Sequence, residues 1–318
     1  MATVVVATAF GGPEVLSSVE APVPEPGRGE VTIRVRAAGV NPLDYLLYSG
    51  AFGGDRDSLP LRVGQELAGV VSATGPEAIG PAGAVHVGDE VIAYHRGVPG
   101  SYATEVTWPA GAVVPKPAAL GWEQAAGLLM AGSTAVHALA ATAVGGGDTV
   151  LIHGVSGGVG LIAAQLAILR GARVIGTAGA TRHDSLRAYG VDPVVYGPGL
   201  ADRVRDLAAG GVDAAIDAAD TDEAIDVSLE LVPDRARIAT LVAFQHGNEA
   251  GIKTLGAAGG VTDAGTEIRA AAWSELVSLA SDGKLDVVVA RTFPLTDAAA
   301  AHKLVATGHA GGKVVLLP

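Results

Sequence analysis

A glycine-dense turn between an apolar run and a long apolar helix pattern constrains this chain more than any other feature. The turn lies within residues 150–160, Val-Leu-Ile-His-Gly-Val-Ser-Gly-Gly-Val-Gly, and the helix pattern continues from Leu161 to Leu169. The glycines permit a tight turn, a close approach of backbone to phosphate, and close packing of the helix on a sheet. The helix N-terminus adds unpaired N–H groups that favour an anion. The pattern predicts a dinucleotide site, although such a turn also occurs as a simple helix cap.

The strand that follows this helix indicates which dinucleotide is bound. Residues 172–177 form the next predicted strand, about 20 residues beyond the glycines, where an acid for the ribose is expected. No carboxylate stands there, and the strand is followed by Thr181 and Arg182. Charge-assisted hydrogen bonds from these two side chains to a 2′-phosphate favour NADP(H) over NAD(H). The alternative is that Arg182 is a solvated residue of the next helix.

Composition excludes several classes of function. The chain has 318 residues, of which 49% are hydrophobic and 17% charged, and its net charge is −12. This length and balance predict a globular protein of two domains, and the absence of a basic stripe argues against a nucleic-acid partner. The chain has no cysteine, so disulfides and thiolate metal ligands are excluded. This composition is compatible with a reducing cytosol, and a cytoplasmic location is expected. The first six residues are predicted to be a strand and not a leader.

One uncharged segment is long enough to cross a bilayer. It runs from Ala125 to Val144 and carries no formal charge. It also contains several glycines and hydroxyl residues, and no basic flank anchors it. A buried helix at a domain junction is therefore the preferred interpretation, and no membrane partner is expected.

The hydrophobic pattern divides the chain into two kinds of region. Residues 1–121 are rich in β-type runs broken by Gly and Pro, such as the alternating run Val31–Arg36 and the run Val87–Ala93, and predict an irregular β-barrel. From Trp122 to Thr262 strands alternate with helices, which predicts an α/β fold with a doubly wound parallel sheet. The candidate parallel strands are Val150–His153, Arg173–Thr177, Val194–Tyr196, Ala214–Asp217, Ile238–Val242 and Ile252–Leu255.

The last segment returns to mixed elements. The pattern predicts helices over Glu267–Ser281 and Asp297–Thr307, and strands at Asp286–Arg291 and Lys313–Leu317. We therefore expect residues 1–122 and 265–318 to form a substrate domain and residues 123–264 to form the dinucleotide-binding domain.

Seven motifs in this order resemble the medium-chain dehydrogenase/reductase superfamily, nearest its zinc-independent quinone oxidoreductase branch, over the whole chain. Each motif alone is loose, but their order is specific. They are Gly39-Val40-Asn41-Pro42-Leu43-Asp44, the run from Gly64 to Val71, Val87-Gly88-Asp89-Glu90-Val91, the run from Gly100 to Val106, Ala131-Gly132-Ser133-Thr134-Ala135, Gly154–Gly160 and the run from Gly308 to Leu316. The resemblance implies a GroES-like substrate domain, a Rossmann domain, NADP(H) as cofactor, and a small-molecule substrate.

The resemblance also implies that no catalytic zinc is held. The zinc alcohol dehydrogenases have a cysteine and a histidine where this chain has Asn41 and Gln65, and an amide is a poor ligand for Zn²⁺. Asp44 and Glu66 remain, but two carboxylates alone make a weak metal site. No metal is therefore expected, and hydride transfer to an already electrophilic carbon is the remaining chemistry.

Four residues are the expected catalytic set by resemblance: Asn41, Tyr45, Tyr48 and Gln65. Asn41 and Gln65 are implied to lie beside the nicotinamide, where their amide N–H groups can stabilise the charge that develops on the conjugated oxygen. Tyr45 and Tyr48 follow on a short predicted helix and either donate to that oxygen or only pack. The family often has an arginine at position 48. For Asn41, a turn role before Pro42 is the alternative.

The resemblance also carries over a set of cofactor contacts. The loop from Ala243 to His246 is implied to lie beside the nicotinamide, and Tyr196 is implied to lie near the adenosine. Asp220 departs from the glycine that the family often has. The full set is Thr134, Ser156, Gly157, Gly158, Val159, Gly160, Gly179, Arg182, Tyr196, Ala243 and Phe244.

Three hypotheses of the function follow from the sequence. The first is an NADPH-dependent reductase of a quinone or of an activated double bond, acting without zinc. The second is a dedicated reductase or cyclising enzyme for one biosynthetic intermediate. The third is a non-catalytic NADPH-binding protein, because fold alone does not fix function. The resemblance further implies a homodimer that pairs through the edge strand Ile252–Leu255.

Overall fold

The computed structural model describes residues 1–53, 55–97, 100–256 and 265–318. These residues form two compact units, Met1–Met130 with Trp273–Pro318, and Ala131–Ala272. Residues 257–264 are outside the described residues. They include Thr262, where the strand–helix alternation is expected to end, and they reach the expected domain boundary between residues 264 and 265. Each unit is described by itself below.

The strands are numbered in chain order. They are β1 (Ala2–Ala7), β2 (Leu16–Ala21), β3 (Glu30–Val40), β4 (Leu61–Arg62), β5 (Glu66–Thr74), β6 (Ile79–Gly80), β7 (Gly83–Ala84), β8 (Glu90–Tyr94), β9 (Glu105–Pro109), β10 (Val113–Pro115), β11 (Thr149–His153), β12 (Arg173–Thr177), β13 (Asp192–Val194), β14 (Ala214–Asp217), β15 (Ile238–Thr240), β16 (Lys253–Thr254), β17 (Val289–Pro294) and β18 (Lys313–Leu317).

The helices are numbered in the same way. They are α1 (Pro42–Ser49), α2 (Trp122–Ala125), α3 (Leu129–Ala141), α4 (Gly158–Leu169), α5 (His183–Ala188), α6 (Leu200–Leu207), α7 (Asp222–Leu231), α8 (Phe244–Ala250), α9 (Gly265–Ser281) and α10 (Ala298–Ala306).

The first unit is built on a largely antiparallel seven-stranded sheet. Its strand order is β10-β8-β5-β3-β18-β17, with β9 paired to β3 outside this path, and β17 and β18 run parallel. Val31, Ile33 and Val35 alternate inward along β3, so the predicted strand over Val31–Arg36 is confirmed and extended to Val40. These side chains join a core that includes Leu67 and Trp108, both fully buried. The resulting GroES-like domain brings β5, β3 and β18 side by side.

The second unit is a Rossmann-like parallel sheet with the strand order β13-β12-β11-β14-β15-β16. All five pairings are parallel, so the carboxyl ends of the strands lie along one edge. The central strand β11 is buried from Val150 to His153, as a strand covered on both faces must be. Val204, Ile225 and Ile238 are among the fully buried residues of its core. The predicted α/β doubly wound architecture is confirmed.

Two local predictions are wrong, for identifiable reasons. Strand β13 ends at Val194 and not at Tyr196, because Arg203 donates to the carbonyls of Val195 and Gly197 and holds them out of the ladder. The segment 243–246 is not a loop, because α8 begins at Phe244 and ends on a left-handed Gly251. Its glycine at position 247 hid the helix from the sequence pattern, yet packs against Thr240 and Thr254.

Two further boundaries differ from the prediction. The strand expected from Val87 begins only at Glu90, because residues 86–89 form a turn closed by the Asp89 carboxylate on the His86 N–H group. The strand expected at Asp286–Arg291 lies at Val289–Pro294.

The uncharged segment Ala125–Val144 contains the end of α2 and all of α3. Helix α3 is 13 residues long, too short for a bilayer at a rise of about 1.5 Å per residue. Across the four described ranges of the chain, none of the helices has the length and apolarity of a membrane span.

Candidate active site

Four polar side chains of the first unit form a buried group, which we call the acid–lysine cluster. Asn41, Asp44, Glu66 and Lys313 are each no more than 5% exposed. Adjacent strands explain their meeting, since β3 pairs with β5 through Gly39 and Glu66, and with β18 through Val40 and Val314. Position 39 must be glycine, because a Cβ there would lie 2.3 Å from the Glu66 carboxylate.

The Asn41 amide is held at both ends. Its Nδ2 donates to Glu66 Oε1 at 2.9 Å, and its Oδ1 accepts from Lys313 Nζ at 2.5 Å. The Lys313 ammonium also donates to Glu66 Oε1 at 2.7 Å. Asn41 precedes α1, but its side chain does not cap that helix; its own N–H donates to Asp44 Oδ2 at 2.9 Å. The side chain is thus committed to the cluster and not to the turn before Pro42.

This arrangement does not fit a zinc ion. The Lys313 ammonium occupies the Glu66 carboxylate and the Asn41 carbonyl oxygen, so a positive charge of the protein already stands among the oxygen donors. A second cation there would face direct repulsion by that ammonium. Gln65 presents an amide, which is a poorer ligand for Zn²⁺ than imidazole, thiolate or carboxylate. As they stand, these residues are therefore a poor donor set for Zn²⁺.

A chain of hydrogen bonds leads away from Asp44 through the core of the first unit. Tyr102 donates its hydroxyl to Asp44 Oδ2 at 3.0 Å, and the same hydroxyl oxygen lies 3.0 Å from His302 Nε2. His302 Nδ1 lies 2.8 Å from the Tyr48 hydroxyl. All four side chains are at most 1% exposed. The elements that meet are α1, the segment before β9, and α10.

Burial sets the charge states along this chain. Burial raises the pKa of Asp44 to about 7, although the hydrogen bonds from Asn41 and Tyr102 act to lower it. Burial also lowers the pKa of His302 to about 4, so its ring is neutral. Since Tyr102 donates to Asp44, its oxygen accepts from His302 Nε2, and Nδ1 then accepts from Tyr48. Every bond points toward Asp44, whose Oδ1 has no partner within the described residues.

Gln65 and Tyr45 differ from Asn41 and Tyr48 in being uncommitted. Gln65 is 1% exposed, and its Oε1 has no hydrogen-bond partner among the described residues. Such a buried orphan group costs about 1–3 kcal/mol, which a bound partner would offset. Tyr45 is half-buried and packs edge-on against Tyr48, with ring centroids 5.7 Å apart. Tyr48, in contrast, uses its hydroxyl within the core.

In the second unit, the glycine turn has the shape that a dinucleotide requires. Gly154 has φ +71°, and a Cβ there would lie 2.9 Å from the Ala218 carbonyl oxygen. A Cβ on Gly160 would lie 2.4 Å from the Gly154 carbonyl oxygen, so the turn closes only without one. Residues 156–159 are half-buried, and the first turn of α4 carries no acid. Backbone N–H groups at this helix start are therefore open to an anion.

The residues expected to bind the adenosine side follow the carboxyl ends of neighbouring strands. Gly179 and Arg182 follow β12, and Tyr196, which is 51% exposed, follows β13. The Arg182 side chain is exposed, and its guanidinium makes no hydrogen bond or ion pair within the described part of the chain. The nearby Asp184 is instead paired with Arg187 at 2.8 Å. A free guanidinium thus stands where a 2′-phosphate is expected.

The remaining expected contacts are placed on the same unit. Ala243 and Phe244 are half-buried at the start of α8, just beyond β15, and Thr134 is half-buried on α3. Asp220 has φ +56°, a left-handed conformation that glycine adopts without strain and aspartate tolerates. That backbone conformation suits the glycine that the resemblance implies for this position.

Three residues of the first-unit site were not expected from the sequence. Lys313 and Tyr102 stand inside recognised motifs, but nothing in those motifs indicates a buried ammonium or a hydroxyl relay. His302 lies in an alanine-rich helix pattern and carries no local signal. The hydrogen-bond partners of His302 and Lys313 lie 200 or more positions away in the sequence, so only the fold reveals these contacts.

Comparison with known proteins agrees with both units. Residues 27–118 match the family described as alcohol dehydrogenase GroES-like domain, and residues 189–316 match that described as zinc-binding dehydrogenase. A quinone oxidoreductase of Pseudomonas aeruginosa is 33% identical, with 98% of each chain covered. The solved Escherichia coli quinone oxidoreductase complexed with NADPH is 28% identical, with a TM-score of 0.83 over 99% of this chain and 100% of that one.

A solved NAD-dependent alcohol dehydrogenase is similar to the same degree. It is 30% identical, with a TM-score of 0.84 and 99% of each chain covered. The likeness in sequence, in both family matches and in fold spans essentially the whole chain. This chain belongs to the medium-chain dehydrogenase/reductase superfamily, in its quinone oxidoreductase-like branch.

Proposed function

We propose that this protein is an NADPH-dependent oxidoreductase that reduces a quinone or an α,β-unsaturated carbonyl compound without zinc. Two observations support the proposal: one unit has a glycine turn of the shape that a dinucleotide requires, and the other has an amide cluster that contains the Lys313 ammonium. Bound NADPH supplies the hydride. The protein must then bind the cofactor, hold the acceptor and stabilise the negative charge that develops on the acceptor oxygen.

The second unit supports NADPH as the cofactor. The N–H groups at the start of α4 and the half-buried Ser156, Gly157, Gly158 and Val159 would hold the pyrophosphate. The unpaired Arg182 guanidinium would bind the 2′-phosphate, and no acid at the end of β12 would repel it. The E. coli relative is complexed with NADPH, whereas the alcohol dehydrogenase is described as NAD-dependent, so the phosphate contact decides between the two.

The first unit supports stabilisation of an oxyanion by neutral donors. Gln65 is buried, and its Oε1 has no partner among the described residues, so that oxygen can accept a hydrogen bond from a ligand. The group of this side chain that would donate to the oxyanion is its amide nitrogen. Asn41 keeps one of its two amide hydrogens after donating to Glu66. The Tyr45 hydroxyl makes no hydrogen bond within the described residues and is available as the proton donor. Donors held in place before the reaction are worth more than mobile ones.

The contacts of Tyr48 and of the acid–lysine cluster argue against two features of the reaction, direct proton donation by Tyr48 and a catalytic metal. The Tyr48 hydroxyl is engaged with His302, so we propose that this tyrosine supports the site and that it does not donate directly. The ammonium of Lys313 stands among the oxygen atoms of Asn41 and Glu66, which disfavours a catalytic metal there. Without a Lewis acid to activate an alcohol, an acceptor that is already electrophilic is favoured.

Assembly and location follow as further parts of the proposal. Strand β16 is the edge of the six-stranded sheet, and its free ladder groups suit antiparallel pairing with a second copy of this chain. We therefore propose a cytoplasmic homodimer. Sedimentation or light scattering of the purified protein measures its mass directly, and a monomer at micromolar concentration would exclude the pairing.

The test of the function is turnover. Loss of reduced-nicotinamide absorbance is measured with NADPH and with NADH against a panel of quinones and enones. We expect turnover with NADPH at least about tenfold better in kcat/KM than with NADH. Metal analysis accompanies it, and stoichiometric zinc would refute the metal-free mechanism. Tight NADPH binding with no turnover on any acceptor would instead indicate a dedicated biosynthetic substrate or a binding role.

A further inference from the structure

We propose that Lys313 is a positioning residue that fixes which way the Asn41 amide faces, and so delivers one amide N–H group to the reacting centre. The inference rests on the proposed function, because it assigns Asn41 to the acceptor side of the reaction. Lys313 itself touches neither cofactor nor acceptor in this proposal. It acts through Asn41, from the beginning of a strand that lies 272 positions further along the chain.

The orientation of the amide follows from the donors and acceptors around it. An ammonium group has three donors and no acceptor, and an ionised carboxylate has acceptors only. The oxygen of Asn41 must therefore face Lys313 Nζ, and its nitrogen must face Glu66 Oε1, as found at 2.5 and 2.9 Å. The reversed amide would place N–H against ammonium and oxygen against carboxylate. Both contacts would be repulsive, so one orientation is retained.

The cluster is built to hold this geometry. Lys313 Nζ and Glu66 Oε1 are joined directly at 2.7 Å, and their side chains are 5% and 0% exposed. The other oxygen of Glu66 accepts the Met130 backbone N–H at 3.0 Å, which fixes the carboxylate. The Asn41 backbone N–H is bound to Asp44, so the residue is tethered at main chain and side chain alike.

One amide hydrogen is left over. Asn41 Nδ2 carries two hydrogens, of which Glu66 takes one, and no other hydrogen bond of this nitrogen occurs within the described ranges. A free N–H of fixed direction is what oxyanion stabilisation requires. If the amide turned over, its oxygen would stand there and would repel the developing negative charge. Lys313 therefore determines whether Asn41 assists or opposes the reaction.

The test removes both charges together. Lys313→Met alone leaves the Glu66 carboxylate buried and unpaired, which threatens folding. The variant Lys313→Met/Glu66→Gln keeps the volume and leaves no buried charge at these positions, and glutamine no longer dictates the Asn41 orientation because it both donates and accepts. Asn41→Ala and the triple variant complete a cycle. Lys116→Met is the matched control, since Lys116 is also a shielded lysine of the first unit but pairs with Glu90.

Activity and binding are measured across the cycle. We expect Lys313→Met/Glu66→Gln to lower kcat/KM about tenfold with NADPH affinity unchanged, Asn41→Ala to do the same, and the triple variant to lose no more. Independent losses that multiply to about a hundredfold in the triple variant would overturn the inference. So would wild-type kcat/KM in Lys313→Met/Glu66→Gln. We expect Lys116→Met to match the wild type.

A second readout separates this inference from the proposed function. Absence of turnover in the wild type refutes the function but leaves the amide orientation measurable. The side-chain NH₂ signals of Asn41, identified by their loss in Asn41→Ala, are expected to exchange slowly with water in the wild type and rapidly in Lys313→Met/Glu66→Gln. Equal exchange in both proteins would refute the role of Lys313.

Discussion

The acid–lysine cluster of the first unit and the glycine turn of the second are built by opposite means. The glycine turn uses almost no side chains, because its shape depends on the missing Cβ atoms of Gly154 and Gly160 and on backbone N–H groups. The cluster uses side chains whose backbone positions lie on α1 or directly before it, on β5 and on β18. The glycine turn contains no charged side chain, whereas the cluster contains buried charged side chains.

This difference decides how each site responds to change. A backbone-built site fails when atoms are added, because there is no side chain to remove. A side-chain network fails when a partner is removed, because the group left behind is buried and unpaired. The following variants test that contrast, beginning with the largest expected effect.

Addition of one methyl group should damage the glycine turn most. In Gly160→Ala the new Cβ would meet the Gly154 carbonyl oxygen at 2.4 Å and Val155 Cα at 2.8 Å. We expect the free energy of unfolding to fall by about 3 kcal/mol and NADPH affinity to fall about a hundredfold. Chemical denaturation and NADPH titration measure both quantities. Gly210→Ala is the control, because a Cβ there meets nothing within 4 Å; equal effects of the two substitutions would contradict the steric argument.

Removal of the Asp44 charge should change how stability depends on pH. An acid whose pKa is raised on folding, here from 3.8 to about 7, binds its proton more tightly in the native state. Its contribution is therefore intact at low pH and is lost as pH rises toward and beyond 7. Between pH 5 and 8 we expect the wild type to lose about 2 kcal/mol of stability that Asp44→Asn does not lose.

Denaturant melts at several pH values check this slope. The exposed Asp184 supplies the control, and Asp184→Asn should keep the slope of the wild type. The neutral His302 and His153, whose pKa values are lowered to about 4 by burial, act in the opposite sense and destabilise the fold as pH falls from 6.5 toward 4. A wild-type slope that persists in Asp44→Asn would show that another group titrates.

Removal of one exposed guanidinium should alter cofactor choice and not stability. Arg182→Ala removes the free charge beside β12, and we expect the ratio of NADPH to NADH affinity to fall about tenfold. Binding titrations with both nucleotides give the ratio. Arg187→Ala is matched to it, because Arg187 lies on α5, which begins directly after Arg182, but is already paired with Asp184. An unchanged ratio in Arg182→Ala would refute the 2′-phosphate contact.

Loss of a single hydroxyl in the network should have the smallest effect. Tyr48→Phe breaks the hydrogen bond to His302, and we expect a loss of about 1 kcal/mol in stability. Tyr45→Phe, whose hydroxyl makes no such bond, should leave stability unchanged. Thermal or denaturant unfolding, combined with measurement of kcat, distinguishes a structural role of Tyr48 from a direct role in the reaction. A fall in kcat beyond about tenfold in Tyr48→Phe, with stability retained, would show direct donation by Tyr48.

The sequence predicted the elements whose signals are local. Strands β12, β14 and β18 were placed with correct bounds, because apolar β-type runs end at clear turn signals there. Helix α8 was missed because Gly247 weakens its pattern, while contacts with Thr240 and Thr254 favour it. Tyr196 was placed in a strand because its neighbours are apolar, whereas Arg203 binds the carbonyls that the ladder would need.

The candidate site divides in the same way. The motif around Asn41 and Gln65 predicts two amides in place of metal ligands, but it does not say that one is pinned by Lys313 and the other unpartnered. Tyr45 and Tyr48 look equivalent in sequence, three positions apart on one helix. Only the position of His302 on α10 distinguishes a committed hydroxyl from an uncommitted one.

The sequence by itself determined the family, the α/β class, and the position of the glycine turn, because glycine spacing and hydrophobic period act over a few residues. It also determined that the chain has no thiolate ligand, since it has no cysteine. Tertiary structure alone decided the charge state of Asp44, the neutrality of His302 and the partners of Lys313. Those properties depend on burial and on contacts between strands and helices distant in the chain, and burial is what makes a charge costly enough to need a partner.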